Sequence, residues 1–137
     1  MTHETQGRRI VICDPDRTVL ELLQIRLELA GCETFTARTG EAALETLEQV
    51  APDALLLELD LPGMDGFAVL RALDPDGEGL AFPVLVMGKR LGEADFQRAV
   101  ALGARAGLVK PFGGTDVVET VERELRAAAP ARRAAVA

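Results

Sequence analysis

The stretch Ala54-Leu55-Leu56-Leu57-Glu58-Leu59 constrains the fold more than any other part of the chain. A strand with one wet face alternates apolar and polar side chains, whereas this run is apolar at almost every position. Such a strand must be covered on both faces, and strands of that kind belong to parallel sheets with helices above and below. The segment 54–58 is therefore expected at the centre of a sheet.

The remaining sequence repeats the same logic. β-Branched and apolar runs alternate with stretches of helical period, the pattern of a parallel sheet wrapped by helices. Arg9-Ile10-Val11-Ile12-Cys13 reads as a first strand. A helix over 16–30 follows, with Leu20, Leu23 and Leu27 on one face, Asp14 and Asp16 near its start and Gly31 placed to end it. Thr34 to Ala37 is a short strand, and Glu41 to Val50 a second helix that begins at Thr39 or Gly40. After the central strand a short helix starts near Asp65 and buries Phe67 and Leu70, and the run Asp74 to Gly79 is turn chemistry throughout. Pro83 to Met87, a helix over 93–102, Ala106 to Val109 and a helix over 115–128 with Val117, Val121 and Leu125 inward complete five strand–helix units. These fit an open, doubly wound α/β sheet with helices on both faces. In such sheets chemistry gathers at the carboxyl ends of the strands.

With 137 residues and 48% of them hydrophobic, the chain has enough apolar surface for one core. The domain is expected over 8–128, after a flexible leader at 1–7. A disordered Ala/Arg tail is expected at 129–137, where there is no apolar stripe and Pro130 interrupts. A net charge of −7 repels phosphate backbones over most of the surface, so nucleic acid is not an expected partner. No apolar run approaches ~18 residues, and residues 1–7 lack the basic-then-apolar order of a secretion signal. No membrane association and a cytoplasmic location are the expectations. Cys13 closes one strand while Cys32 opens the next parallel one, which places them at opposite ends of the sheet as free, buried thiols.

Asp14 after the first strand, the segment Glu58-Leu59-Asp60-Leu61-Pro62-Gly63 and Val109-Lys110-Pro111-Phe112 together resemble the receiver domain of two-component response regulators. The resemblance covers about residues 8–128 and implies a flavodoxin-like sheet of order 2-1-3-4-5. It also implies a site at the carboxyl ends of the strands. In the family, two acidic residues after the first strand and an acceptor Asp hold magnesium, and a Lys after the fifth strand pairs with the incoming phosphoryl group. A Thr or Ser after the fourth strand and an aromatic residue in the fifth then register the phosphate. This chain keeps Asp14 and Lys110. It places Cys13 at the first acid, Glu58 at the acceptor, Gly88 at the hydroxyl and Gly107 at the aromatic.

Glu58 carries one methylene more than Asp, which moves the nucleophilic oxygen by ~1.5 Å where in-line transfer is sensitive to about 1 Å. Asp60 would become the acceptor only through a two-residue slip that the ungapped spacing from Asp14 to Glu58 and on to Pro62 does not support. Glycine at 88 and 107 supplies neither hydroxyl nor ring. The expected product is a degenerate receiver, not an enzyme: a protein interaction module that works without phosphotransfer. Partners would be a histidine kinase or an output protein, met through the face of the fourth helix, fifth strand and fifth helix, where Lys89, Arg90, Arg98 and Arg105 lie; a homodimer through that face is a further option. Magnesium binding is expected to be weak, with Asp14, Glu58 and Asp60 as its candidate ligands. Glu58 either imitates a phosphorylated Asp or only neutralises Lys110. Cys13 is either a redox sensor or a small buried hydrophobe. The alternative is a working, magnesium-dependent receiver that uses Glu58 or Asp60. A small-ligand enzyme on the same sheet lacks its motifs: no Gly-rich phosphate loop follows the first strand, and the only His is His3.

Overall fold

The computed structural model describes residues 4–128. The expected tail at 129–137 and the first three residues of the expected leader lie outside them. Strands β1 (Arg9–Cys13), β2 (Glu33–Ala37), β3 (Ala54–Glu58), β4 (Val84–Gly88) and β5 (Ala106–Val109) form one parallel sheet in the order β2-β1-β3-β4-β5. Helices α1 (Arg17–Leu29), α2 (Gly40–Gln49), α3 (Gly66–Leu73), α4 (Glu93–Ala101) and α5 (Gly114–Ala127) connect them.

Every residue of β3 is buried, as its unbroken apolar pattern requires. Leu55 and Leu57 face the layer of α2 and α3, where they meet Ala43, Leu47, Val69 and Leu70. Ala54 and Leu56 face α1 and α5, against Leu23, Leu27, Val117 and Val121. Each fully buried leucine contributes about 1.5–3 kcal/mol of hydrophobic stabilisation, so truncating one in β3 to alanine would cost about 2–5 kcal/mol.

Local signals set the helix ends. Asp16 caps α1 by accepting the Thr18 N–H, Thr39 caps α2 through Ala42 N–H, and Asp65 caps α3 through Ala68 N–H. Gly31, at φ +95°, ends α1: its N–H donates to Glu28 O while Cys32 N–H donates to Leu27 O, the paired bonds of a left-handed helix stop. Gly66 serves close approach instead. A Cβ there would stand 2.7 Å from Leu59 Cα and 2.8 Å from Glu58 O, so only glycine lets α3 start against the end of β3.

Element ends depart from the sequence pattern by one residue or so. β4 runs from Val84 to Gly88 rather than from Pro83 to Met87, because proline has no N–H for the ladder while Gly88 O accepts the Lys110 N–H at 2.9 Å. The described part of the leader is packed: Thr5 is buried, Gly7 N–H donates to Gly31 O, and Glu4 lies 3.5 Å from Arg126. Cys13 and Cys32 are free and buried. The described helices include none long and apolar enough to cross a membrane.

Candidate functional site

Strands β1 and β3 are neighbours in register, Cys13 beside Leu57, so Asp14 and Glu58 each follow by one residue at the same end of the sheet. Lys110 leaves the end of β5 through a cis bond to Pro111 and extends its ammonium between the two carboxylates. Nζ lies 2.5 Å from Asp14 Oδ2 and 2.6 Å from Glu58 Oε1. The second oxygen of each acid is also taken, Asp14 Oδ1 by the Asp16 N–H at 2.9 Å and Glu58 Oε2 by the Asp60 N–H at 3.0 Å. All three side chains are buried or nearly so, at 1%, 6% and 10% exposure for Asp14, Glu58 and Lys110. Burial acts to depress the Lys110 pKa, but hydrogen bonds to Asp14 and Glu58, and their charge, outweigh it and hold the group above the ordinary lysine value.

This cluster borders a cavity of about 560 Å³ that Asp60, Gly88, Lys89 and Arg90 also line. Sequence reasoning grouped Cys13 with the acidic pocket, yet its side chain points the other way. It is fully buried against the α2 layer, its Sγ donates to Thr39 O at 3.4 Å, and it does not line the cavity. Burial, then the charges of Asp14, Glu58 and Glu41, push its thiol up to about 12, so the reactive thiolate is scarce at neutral pH. Burial likewise raises Cys32 to about 11. Asp60 is exposed and serves the site through its backbone N–H.

Receiver domains in general bind magnesium, and here the Lys110 ammonium lies between the two carboxylates that would face such an ion. A hard divalent cation takes several oxygens, and each oxygen of Asp14 and Glu58 already accepts one hydrogen bond, from Lys110 or a backbone N–H. Among the described residues no group of three or more His, Cys, Asp or Glu is placed to hold a metal.

The two glycines differ. A Cβ at Gly88 would have 3.5 Å to Glu58 Oε2 and 3.7 Å to Leu91 Cβ, ordinary contact distances, whereas a Cβ at Gly107 would stand 2.9 Å from both Leu91 and the Phe96 ring. Sequence reasoning missed Leu91 and Phe96, and also the Asp14 bond to Lys110. The available signals were an apolar pair just before and inside α4, and the adjacency of two acids at the ends of neighbouring strands. Of the cations grouped on the α4, β5 and α5 face, Lys89 and Arg90 are exposed at the cavity rim and Arg105 pairs with Glu124 at 3.5 Å. Arg98 departs from that grouping: it lies over the Phe67 ring of α3, 3.9 Å from its centroid, because the cation gains from the ring face.

The chain is 33% identical over 120 residues to the alkaline phosphatase synthesis transcriptional regulatory protein PhoP of Bacillus subtilis, covering 88% of this chain and 49% of that protein. It is 36% identical over 121 residues to the transcriptional regulatory protein PrrA of Mycobacterium leprae, covering 86% and 50%. The chain thus spans about half the length of these relatives. Among solved structures, the chemotaxis protein CheY4 of Vibrio cholerae superposes with a TM-score of 0.79 at 25% identity, covering 86% of this chain and 98% of that one. A putative response regulator of Chloroflexus aurantiacus gives 0.77 at 30% identity, covering 88% and 99%. The family model for the response regulator receiver domain matches residues 10–122, and with the five-stranded order β2-β1-β3-β4-β5 and the acid–lysine cluster at its carboxyl edge, the chain belongs to that family of two-component signalling domains.

Proposed function

We propose that this receiver domain works as a protein interaction module without phosphotransfer, with Glu58 in the place of the phosphate-accepting Asp. One observation carries the reading: Lys110 is clamped between Asp14 and Glu58, and every carboxylate oxygen of the pair already has a partner. A nucleophilic carboxylate must be free to approach phosphorus in line, and its product needs positive charge to offset it. Here the nucleophile is tied up and the positive charge is already spent. Glu58 holds Lys110 as an internal ion pair, which fixes the loop after β5 in one arrangement. A histidine kinase, an output protein or a second copy of the chain would then meet the face of α4, β5 and α5 in a state that does not depend on phosphate.

The test is labelling. Incubated with acetyl phosphate and magnesium, the protein is expected to run as a single unshifted band on a phosphate-affinity gel. A stoichiometric slow band that disappears in Glu58→Gln would overturn the reading in favour of a working receiver.

A further inference from the structure

The apolar half of the same sheet edge holds a second arrangement. Gly107 lies in the outer strand β5 beside Val86. A Cβ built on it would be 2.9 Å from Leu91 Cδ2 and 2.9 Å from Cδ1 and Cε1 of Phe96, well inside the ~3.5–4.0 Å at which carbon atoms attract. Leu91 and Phe96 therefore sit in the volume that any side chain at position 107 would take. The glycine is not there for backbone reasons, because Gly107 is absent from the positive-φ glycines. Leu91 also faces the charged pocket: it lines the cavity and its Cβ is 3.7 Å from the Cβ position at Gly88. Beside Phe96, helix α4 is held mainly by Ala99 and by Arg98 over the Phe67 ring. Ala99 is its one buried residue, and its N-cap Gly92 offers no side-chain bond.

We propose that Leu91 and Phe96 form a latch, seated on Gly107, that holds α4 over β5. This deepens the module reading and rests on it only in taking α4 as part of the docking face. A receiver that registers phosphate needs room at this place for a side chain to enter and leave, so that pocket and helix can exchange states. Here the ends of the Leu91 and Phe96 side chains occupy that room from the helix side. An equilibrium shifts only if the two states differ in their contacts, and any displacement of α4 would have to give up the contacts of Leu91 and Phe96 over Gly107.

The experiment uses the whole chain without a partner and reads α4 directly, by backbone amide chemical shifts and hydrogen exchange over residues 93–101. Gly107→Ala, which otherwise suits a strand better than glycine, is expected to lift the Phe96 ring and speed exchange in α4 by about tenfold, with α2 unchanged. Phe96→Ala alone should loosen α4 to a similar degree. In the Phe96→Ala background, adding Gly107→Ala should change much less than in the wild type, since only the Leu91 methyl is then left to displace. Wild-type shifts and exchange in Gly107→Ala would overturn the latch, as would an unperturbed α4 in Phe96→Ala or an equal effect of Gly107→Ala with and without the ring. None of these outcomes bears on labelling of Glu58, so latch and module can fail separately.

Discussion

Gly88 and Gly107 end up on neighbouring strands at the same edge of the sheet, β4 and β5, and the same residue type does opposite things in the two places. At Gly88 the missing side chain leaves space: the nearest atom to a Cβ there is Glu58 Oε2 at 3.5 Å. At Gly107 the missing side chain is a seat already taken by Leu91 and Phe96. A glycine in a strand therefore has no fixed meaning until its neighbours are known. One marks a vacancy beside a closed ion cluster, and the other marks a contact that any side chain would break. The charged half of this edge is held by electrostatics and the apolar half by packing, so perturbations should separate them.

The largest effect is expected in the charged half. Lys110→Met leaves Asp14 and Glu58 facing each other in a buried site without their counter-charge, and breaking a buried pair in this way costs about 3–5 kcal/mol. Urea unfolding followed by circular dichroism would show it as a lower midpoint at an unchanged slope. A loss under about 1 kcal/mol would mean that the cluster is far wetter than its burial implies. The same interaction sets the alkaline limit. The pKa of Lys110 in the folded chain is raised above the ordinary value of 10.5, so its stabilising contribution is complete below that value and is lost as pH rises through the higher folded pKa. The wild type should therefore lose more stability above pH 10.5 than Lys110→Met does, while below that pH the difference between the two should be constant as far as this lysine is concerned.

Next in size is the apolar half. Gly107→Ala brings a methyl group against the ends of a leucine and a phenylalanine side chain that can shift, so its cost is expected at the low end of overpacking, about 1 kcal/mol. A thermal midpoint equal to wild type would show that the Phe96 ring swings away freely. Because the Asp14–Lys110–Glu58 cluster is held by its own ion pairs and Gly107 meets only Leu91 and Phe96, the losses from Gly107→Ala and Lys110→Met should add within about 0.5 kcal/mol. A larger coupling would show that Leu91, which touches both regions, transmits between them.

How much of this was legible in the sequence depended on range. The solid apolar run of β3 is enough to demand a central strand, and the caps Asp16, Thr39 and Asp65 sit where their side chains can reach the next backbone N–H groups; both are local facts. The pairing of Glu58 with Lys110 was legible through the resemblance to receiver domains, which implies that both lie at the carboxyl end of one parallel sheet. That Asp14 also binds Lys110, rather than remaining free for a metal, depends on where a long, flexible lysine settles between two acids, which no spacing encodes. The direction of Cys13 toward α2 depends on which face of β1 it occupies. The filling of the space over Gly107 depends on how closely α4 approaches β5, a packing distance rather than a pattern.

The smallest effect, and one of opposite sign, is expected at Gly88. Its backbone is outside the positive-φ region, and every atom near a Cβ there is at 3.5 Å or beyond, so Gly88→Ala adds no strain. It removes conformational freedom from the unfolded chain instead, which stabilises by about 0.4–1 kcal/mol. Thermal unfolding should thus move up for Gly88→Ala and down for Gly107→Ala, and a shift of the same sign in both would erase the distinction between vacancy and seat. Gly88→Ser sharpens the contrast further. Its Cβ starts 3.5 Å from Glu58 Oε2, so its hydroxyl can donate to a carboxylate oxygen that is present with or without phosphate. A bond made in the resting state strengthens that state and gives no preference for another. Restoring the hydroxyl is therefore expected to tighten the closed cluster and leave the α4 amide shifts as they are, with and without acetyl phosphate. Phosphate-dependent shifts in Gly88→Ser that are lacking in the wild type would show that one hydroxyl is enough to move α4 against its packing on Gly107.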